Sequence, residues 1–212
     1  QPSKRNTRIL YANSVPINLT NISILDTEHA EDLTFFYFMP LEDVSGNYDC
    51  NQLFELYSIS INNARISNNQ FSKGESRVWL YEVALFQSKQ AEVILNNLTV
   101  ENNSFELYSF YSLNQRPASF FLSSSNFSNN SFVGSQLVDS NYFEGYHCNF
   151  YKDKVLSFYH PLYKFVVIVN SFFSEMEYLS SKLFNLNSGY LFLRKNDFTS
   201  LQFSGESMLL TN

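Results

Sequence analysis

Glycine and proline are scarce in this chain of 212 residues, which contains 6 Gly and 5 Pro. Their scarcity excludes collagen-like chains and Gly/Pro-rich low-complexity chains. Charged residues are also few, at 16%, which argues against a disordered chain or a coiled coil. No basic run exceeds Lys4-Arg5 and the net charge is −6, so the basic patch typical of nucleic-acid-binding proteins is missing. We therefore predict no nucleic-acid partner.

Long apolar runs and closely spaced cysteines are missing as well. The longest apolar stretches, such as residues 33–41 and 165–169, are far shorter than the ~20 residues that span a bilayer, so we predict no membrane span. Cys50 and Cys148 form no closely spaced pair and hence no zinc or thioredoxin motif. We expect free thiols, because cysteines several coils apart in a solenoid are too distant to bridge. A start at Gln1 indicates a processed protein or part of a larger one.

Aromatic residues, asparagine and serine are plentiful instead. The chain contains 22 Phe and 14 Tyr, together with 25 Asn and 30 Ser. This composition provides ample apolar material for a core. It is typical of short strands separated by polar turns. Asn takes the place of Gly in such turns, because it tolerates left-handed backbone angles better than most residues do.

Three blocks of thirteen residues align without a gap. They are ISINNARISNNQF at 59–71, VILNNLTVENNSF at 93–105 and FFLSSSNFSNNSF at 120–132. Positions one, three, eight and thirteen are apolar in all three blocks, and positions ten and eleven are Asn-Asn each time. The blocks predict short apolar strands joined by two-residue turns, as the coils of a β-solenoid require.

The last six residues of the block recur as VIVNSF at 167–172 and LRKNDF at 193–198. We predict that the Asn of each copy forms a turn or a side-chain ladder from coil to coil, and that the Phe of each copy stacks in the interior. The predicted turn and ladder residues are Asn69, Asn103, Asn130, Asn170 and Asn196. The predicted core stack consists of Phe71, Phe105, Phe132, Phe172 and Phe198.

These repeats predict an all-β fold, a right-handed parallel β-helix (a solenoid) with irregular loops. Loops of variable length can leave the corners of such a helix, because closure entropy grows slowly with loop length. An antiparallel sandwich of short strands is the alternative fold. We divide the chain into residues 1–58, which form irregular N-terminal coils or a cap, and residues 59–212, which form the β-helix coils. Because the sequence stops in mid-coil at Asn212, we expect further coils beyond it.

The repeat resembles motifs of two groups of surface proteins. Phe127-Ser-Asn-Asn130, followed by Gly134-Ser-Gln-Leu137, is similar to the F-x-x-N and G-G-A-I motifs of the chlamydial polymorphic outer membrane proteins. The pattern also resembles the pectin-lyase-like repeats in large surface proteins of protists. The resemblance covers residues 59–212. It implies a surface or extracellular solenoid used in adhesion or assembly.

Six N-glycosylation sequons are present, where this composition gives roughly four by chance. They begin at Asn18, Asn21, Asn97, Asn102, Asn126 and Asn129. If the protein is secreted, we expect at least one of them to carry a glycan. Asn102 and Asn129 share position ten of the block, so they can lie one strand spacing of ~4.8 Å apart. Two glycans would crowd there, and either Asn can instead belong to a ladder.

Parallel β-helices include polysaccharide lyases and hydrolases, so catalytic groups need to be considered. Glycoside hydrolysis requires two carboxylates held at a defined separation. The acidic residues cluster instead at 26–32 and 42–43, outside the clean repeat, and we interpret these clusters as solvated loops. An active site built from them, on the same face of neighbouring coils, is the alternative.

The histidines and the second cysteine are the remaining candidates for chemistry. His147, Cys148 and His160 fall in residues 130–170, which we interpret as a protruding loop. His29 lies in the acidic loop, where a weak metal site is the alternative to a solvated role. The tyrosines at 142, 146 and 151 can bind glycans or proteins if they are exposed.

We therefore predict a non-catalytic structural or surface solenoid. It would serve as a scaffold, adhesion or filament-forming component of an extracellular or cell-surface assembly, with glycans on its surface. We predict no catalytic residue, no metal and no cofactor, and partners that are other protein chains, copies of itself, or glycans. A carbohydrate-active enzyme on the same fold and an intracellular assembly component are the alternatives.

Overall fold

The computed structural model shows a chain built from parallel strands. It describes residues 7–13, 17–26, 28–29, 33–39, 56–71, 78–85, 90–104, 106–112, 119–132, 142–155, 165–179, 183 and 189–204. These residues contain no helix, and every strand pair among them is parallel. In the described part of the chain, no helix is long and apolar enough to cross a membrane.

The described residues form 22 strands. They are β1 (Thr7–Asn13), β2 (Ile17–Thr20), β3 (Ser23–Leu25), β4 (Glu28–His29), β5 (Leu33–Met39), β6 (Leu56–Ser67), β7 (Gln70–Phe71), β8 (Val78–Leu85), β9 (Gln90–Glu101), β10 (Glu106–Ser112), β11 (Ser119–Ser123), β12 (Asn126–Ser128), β13 (Ser131–Phe132), β14 (Tyr142–Tyr146), β15 (Asn149–Tyr151), β16 (Lys154–Val155), β17 (Phe165–Val169), β18 (Phe172–Ser174), β19 (Glu177–Tyr178), β20 (Tyr190–Arg194), β21 (Asp197–Thr199) and β22 (Gln202–Phe203).

Successive segments of the chain stack as seven coils. Coil 1 comprises residues 17–26 and 28–29, coil 2 residues 56–71, coil 3 residues 90–104, coil 4 residues 119–132, coil 5 residues 142–155, coil 6 residues 165–179 and coil 7 residues 189–204. Equivalent residues of neighbouring coils pair in register, as Ile59, Val93 and Phe120 do. The spacing between equivalent residues is 42, 34 and 27 for the first three steps, and then 23, 23 and 25. The variable length therefore lies between the coils.

Each coil turns at two corners that begin with a residue in the left-handed region. Fourteen non-glycine residues among those described have φ between 49° and 58°, two in each coil and five residues apart. They are Asn21 and Asp26, Asn63 and Asn68, Asn97 and Asn102, Ser124 and Asn129, His147 and Lys152, Asn170 and Glu175, and Lys195 and Ser200. The corners also pair between coils, since the N–H of Ser124 donates to the carbonyl oxygen of Tyr146 at 2.9 Å.

Strand alternation and the corners together direct side chains into the coil. Coil 4 shows the pattern, with Phe120, Leu122, Ser125, Phe127, Asn130 and Phe132 buried and the residues between them half-buried or exposed. The residue that follows each left-handed residue points inward, so pairs of inward residues recur every five residues. Because all coils share this register, the inward residues form continuous rows along the helix.

A row of four phenylalanines stacks through the core of coils 4 to 7. The ring centroids of Phe127 and Phe150 are 5.3 Å apart, those of Phe150 and Phe173 4.7 Å, and those of Phe173 and Phe198 4.8 Å. The rings are inclined to one another by 15° to 25°. Val100 continues the row into coil 3. Each aromatic pair contributes about 0.5–1.5 kcal/mol beyond the burial of its area.

Gly145 accommodates a phenylalanine ring in the core of coil 5. The equivalent residues of coils 4 and 6 are Leu122 and Ile168. A Cβ atom at Gly145 would lie 3.0 Å from Cζ of Phe143, closer than most Cβ atoms approach such carbons. The ring of Phe143 thus fills the volume that a leucine or isoleucine side chain fills in the neighbouring coils.

A separate parallel sheet accompanies the first four coils. It has the strand order β1-β5-β8-β10, and each of its strands precedes a coil in sequence. Thr34 pairs with Trp79, and Trp79 pairs with Glu106. These additional strands contribute to the longer spacing of the first coils.

The predicted all-β parallel β-helix is confirmed. The predicted protruding loop at residues 130–170 is wrong for residues 142–155, which form coil 5. This coil was missed because its corners begin with His147 and Lys152 instead of asparagine. Residues 17–26 and 28–29 form coil 1, which pairs with coil 2 in the same stack. The division at residue 58 and the continuation beyond Asn212 stay predictions.

Candidate functional site

A ladder of buried amide groups runs along the second corner of coils 2 to 5. The main-chain N–H and Nδ2 of Asn69 both donate to Oδ1 of Asn103, at 3.1 and 2.8 Å. Asn103 donates to Oδ1 of Asn130 in the same way, at 3.0 and 2.9 Å. Asn130 donates twice to Oδ1 of Asp153, at 2.8 Å in each case. All four side chains are buried. We call this row the amide ladder.

The remaining Nδ2 hydrogen of each ladder asparagine is also used. Nδ2 of Asn103 donates to the carbonyl oxygen of Ile66 at 2.9 Å, and Nδ2 of Asn130 donates to that of Val100 at 2.8 Å. In each case the acceptor carbonyl belongs to the preceding coil. It is the carbonyl of the residue three positions before the ladder asparagine of that coil, as Ile66 is before Asn69. The ladder thereby satisfies the buried amides, each of which would cost about 1–3 kcal/mol if left unpaired.

The amide ladder ends at Asp153. Oδ1 of Asp153 accepts from Asn130, but the buried Oδ2 has no hydrogen-bond partner. The equivalent residue of coil 6 is the buried Met176, whose side chain has no amide oxygen that could accept the next pair of hydrogen bonds. Burial raises the pKa of Asp153 to about 7, against the lowering effect of the two hydrogen bonds from Asn130. The fully buried hydroxyl of Tyr178 also lacks a partner. Burial, and then the charge of Asp153, raise the pKa of Tyr178.

Two further rows of amides lie on the surface, at the left-handed corner residues. Nδ2 of Asn97 donates to Oδ1 of Asn63 at 2.8 Å, and Nδ2 of Asn63 donates to Oδ1 of Asn21 at 3.4 Å. The second corner repeats this arrangement with Asn102, Asn68 and Asp26. The donor is always in the later coil, so these rows run opposite to the amide ladder. Because the rows are exposed, water can replace each lost partner, and a single bond contributes less than in the core.

The structure separates the five asparagines that were predicted to form one row. Asn69, Asn103 and Asn130 lie in the amide ladder. Asn170 and Asn196 lie instead at the first corner. Asn170 is the left-handed residue itself, with φ of 51°. Asn196 follows the left-handed residue of coil 7, where its Oδ1 accepts from the N–H of Ser171 at 2.9 Å and its Nδ2 donates to the Ile168 carbonyl oxygen at 2.8 Å.

The five phenylalanines predicted to stack are separated as well. Phe132 is buried at an inward position of β13. Phe172 is 51% exposed and points outward, so it is not part of the core. Phe198 stacks on Phe173 in the aromatic row of the core. Phe105 and the side chain of Phe71 lie outside the described residues.

The similarity of the two corners explains this difference. The copies at 167–172 and 193–198 match the sequence of the second corner, but Val167 pairs with Glu144 and Leu193 with Ile168, which places both copies at the first corner. A short motif cannot separate corners that both consist of a left-handed residue and an inward one. The missed signal is the constant spacing of Phe127, Phe150 and Phe173, which form the row that the motif did not identify.

The outer surface of β14, β17 and β20 carries a row of aromatic side chains. The ring centroids of Tyr142 and Phe165 lie 5.0 Å apart at an angle of 2°, and those of Phe165 and Tyr190 lie 6.1 Å apart. Tyr190 is 75% exposed and the neighbouring Phe192 is 51% exposed. We call the residues Tyr142, Phe165, Val167, Tyr190 and Phe192 the outer aromatic face. The same positions of coil 2 are occupied by Ser58 and Ser60.

A single carboxylate, Glu144, lies beside this face in coil 5. It accepts hydrogen bonds from the hydroxyls of Tyr142 and of Tyr146, the latter at 3.0 Å. The hydrogen bond with Glu144 raises the pKa of Tyr142 to about 12 and also raises that of Tyr146. The third tyrosine considered from the sequence, Tyr151, lies under the ammonium of Lys152, which is 4.9 Å from its ring centroid. The tyrosines thus hold their positions through local contacts.

The sequon asparagines lie on the outside of coils 1, 3 and 4. Nδ2 of Asn97 and Nδ2 of Asn102 each donate a hydrogen bond within the surface rows. A glycan attached there would replace one hydrogen of a nitrogen that already donates to the neighbouring coil. Among the described residues, Nδ2 makes no hydrogen bond at Asn18, Asn21, Asn126 and Asn129. Asn102 and Asn129 begin the second corners of neighbouring coils. Glycan occupancy stays a prediction at all six.

Groups capable of metal binding or nucleophilic attack are separated in the described ranges, where no three His, Cys, Asp or Glu side chains could hold a metal ion. His147 is an exposed left-handed corner residue, whereas the next residue, Cys148, is a buried free thiol. Burial raises the pKa of the Cys148 thiol to about 11, which disfavours the reactive thiolate. Cys50, His160 and the side chain of His29 lie outside the described residues.

Comparison with known proteins identifies no family. No protein-family model matches the chain, and no curated protein matches it. Among solved structures, the chain is similar to HetL, a pentapeptide repeat protein involved in heterocyst differentiation regulation from the cyanobacterium Nostoc. The identity is 13%, the match covers 94% of this chain and 90% of HetL, and the TM-score is 0.19. The resemblances to polymorphic outer membrane proteins and pectin-lyase-like repeats stay predictions, and the fold rests on the strand register.

Proposed function

We propose that this chain is a non-catalytic structural solenoid, a scaffold component of an extracellular or cell-surface assembly that associates with further copies of itself. The outer aromatic face carries this proposal. Tyr190 and Phe192 expose large apolar area on a regular sheet, where coil 2 has serines at the same positions. Exposed contiguous apolar surface of this kind typically marks an interaction site.

The rigidity of the face supports a scaffolding role. Tyr142, Phe165 and Tyr190 project from three adjacent paired strands, so their spacing is fixed by the sheet. The phenylalanine row holds the same coils from within, and the amide ladder ends in coil 5, the first of them. A preformed surface loses little conformational entropy when it binds.

Two carboxylates of coil 5 support a non-catalytic role. Glu144 is engaged by two tyrosine hydroxyls, and Asp153 is buried inside the coil. Glycoside hydrolysis requires two carboxylates on either side of a bound substrate. Neither of these two groups is arranged in that way.

Sedimentation velocity over a wide range of protein concentration tests the self-association. We expect the wild-type chain to form larger species as its concentration rises, and the double variant Tyr190→Ser/Phe192→Ser to remain monomeric. Phe172→Ser is the matched control, because Phe172 has the same 51% exposure as Phe192 but lies on the neighbouring β18 surface. A monomeric wild-type chain, or equal weakening by the control, would contradict the proposal.

Expression in a secreting eukaryotic host tests the extracellular part of the proposal. Intact-mass measurement before and after enzymatic deglycosylation should show loss of at least one glycan. Asn129→Gln should remove one glycan if that freely accessible sequon is used. Absence of any mass shift from the wild-type chain would favour an intracellular assembly component.

A further inference from the structure

The carboxyl of Asp153 stands where the amide ladder elsewhere has an asparagine. Its Oδ1 takes the place of the asparagine Oδ1, because it accepts from both the N–H and Nδ2 of Asn130 at 2.8 Å. Its Oδ2 must then take the place of Nδ2. An amide nitrogen there is a donor, whereas an ionised carboxylate has only acceptors.

The main-chain group that faces this position is an acceptor. Nδ2 of Asn130 faces the carbonyl oxygen of Val100. The residue of coil 4 that pairs with Val100 is Phe127, so the Phe127 carbonyl is the equivalent acceptor for Asp153. The same contact recurs at the first corner, between Nδ2 of Asn196 and the Ile168 carbonyl. An ionised Asp153 therefore places two oxygens against each other with no hydrogen between them, in agreement with the unpartnered Oδ2.

We propose that the folded protein holds Asp153 as a neutral carboxylic acid whose Oδ2–H donates to the main-chain carbonyl oxygen of Phe127, and that loss of this proton loosens the stacking of coils 4 to 6. The end of the amide ladder is thus a proton-binding site inside the helix. A proton replaces the second amide hydrogen, and the ladder is completed only when the proton is bound. This inference does not depend on the proposed self-association.

No opposite charge offers an alternative partner inside the coil, as far as the described residues show. The coil 6 corner places the apolar Met176 next to Asp153, and the coil 4 corner places Asn130 there. The titratable groups of the interior are the Tyr178 hydroxyl and the Cys148 thiol, which are both buried and neutral acids with a raised pKa.

The charged residues beside Asp153 in sequence point outward by strand alternation. Lys152 pairs with Glu175 at 3.4 Å, and Lys154 pairs with Glu177 at 2.7 Å. All four side chains are partly exposed, and their charges are balanced by one another and screened by water. They therefore do not neutralise an ionised Asp153 in the interior.

The direction of the pH effect follows from proton binding. Burial raises the pKa of Asp153 from its ordinary value of 3.8 to about 7, so the folded chain holds one more proton than the unfolded chain between these values. The contribution of Asp153 to stability is therefore complete below pH ~4, and it is lost as the pH rises through ~7. Most buried aspartates that pair with a cation show the opposite dependence.

Denaturant unfolding of the wild-type chain and of Asp153→Asn from pH 4 to pH 9 tests the proposal. The asparagine variant carries a permanent donor at this position, so its ladder does not need a proton. We expect the unfolding constant of the wild type, divided by that of Asp153→Asn, to rise about tenfold per pH unit from pH ~4 to ~7 and then to level off. Asp197→Asn is the control, because Asp197 is exposed. The unfolding constant of the wild type, divided by that of Asp197→Asn, should not change with pH in this range.

Two results would overturn the proposal. The first is a ratio of unfolding constants that stays constant with pH. The second is loss of the pH dependence in Tyr178→Phe, because the proton would then be shared with the phenol and not with Phe127. If Asp153→Asn does not fold, NMR titration of the wild type labelled with 13C at the aspartate carboxyls gives the answer directly. One carboxyl with a midpoint near 7 supports the proposal, and ordinary midpoints for all of them contradict it.

Discussion

Oδ1 of Asn130 accepts two hydrogen bonds from Asn103, one from its main-chain N–H at 3.0 Å and one from its Nδ2 at 2.9 Å. One side-chain oxygen thus satisfies two buried donors of the neighbouring coil at a corner where the regular strand pairing is interrupted. The amide ladder therefore adds to the main-chain pairing at the corner, where the N–H of Ser131 donates to the carbonyl oxygen of Asn103 at 2.7 Å. It fixes the register of the coils as well as their spacing.

Asn103→Leu should destabilise the fold strongly. The change removes the acceptor of two Asn69 donors, and it leaves the Ile66 carbonyl and Oδ1 of Asn130 without the amide that Asn103 supplies. We expect a loss of about 3–5 kcal/mol in the free energy of unfolding, measured by urea denaturation. Asn63→Gly is the control. It removes an exposed surface-row amide but keeps a residue suited to φ of 54°, and it should cost less than about 1 kcal/mol. Equal losses would mean that burial of the ladder contributes nothing.

Two adjacent phenylalanines should respond very differently to truncation. Phe173 is fully buried between Phe150 and Phe198, so Phe173→Ala should cost about 3–5 kcal/mol by cavity formation and loss of two stacked pairs. Phe172 is 51% exposed, so Phe172→Ala should cost less than about 1 kcal/mol. Thermal and urea unfolding of the two variants measure the difference. A reversed order would show that the register of coil 6 is shifted by one residue.

Gly145→Ala should be destabilising even though glycine is normally unfavourable in a strand. The added Cβ would meet Cζ of Phe143 at 3.0 Å, and we expect a loss of about 1–3 kcal/mol from overpacking. The double variant Phe143→Val/Gly145→Leu reproduces the inward pair Val93 and Leu95 of coil 3 and should recover most of this loss. A double-mutant cycle of unfolding free energies measures the coupling. Additive effects would contradict the proposed exchange of volume.

Lys195→Gly should stabilise the protein. Lys195 is exposed and has φ of 54°, a conformation that costs most L-residues about 1–2 kcal/mol. Glycine removes this strain but gains freedom in the unfolded chain, so we expect a net gain of about 0.5–1 kcal/mol. Arg194→Gly, one residue earlier in β20, changes a strand residue and should destabilise instead. Differential scanning calorimetry of both variants checks the opposite signs.

The β-helix could be predicted from sequence because coils 2 to 4 repeat Asn-Asn at their second corners. Their blocks pair without a shift, as Ile61 with Leu95 and Leu95 with Leu122 show. Asn-Asn pairs mark these corners because asparagine both tolerates the left-handed region and supplies a ladder amide. In these coils, asparagine both adopts the left-handed corner conformation and forms the buried hydrogen bonds of the ladder, so the sequence repeats visibly.

Coil 5 shows why the rest could not be predicted in this way. His147 and Lys152 adopt the left-handed conformation there, with φ of 55° in each case. Lysine is not among the residue types enriched in this conformation, so the strain at Lys152 is compensated by pairing and packing against coils 4 and 6. That compensation depends on neighbours distant in sequence and leaves no local signal. The outer aromatic face could not be predicted for a related reason, because apolar residues occupy both faces of β17 and β20 and alternation alone does not tell which face is inside.

Phe120, Phe143 and Val166 occupy equivalent positions in coils 4, 5 and 6, at a constant spacing of 23 residues. Removal of 23 consecutive residues from this part of the chain would therefore delete one whole coil and leave every remaining side chain with its inward or outward direction unchanged. Duplication of the same length would add a coil in the same way. The protein can thus change its length by internal recombination in complete units, whereas loss of a single residue inside a strand would exchange the inward and outward side chains of that strand.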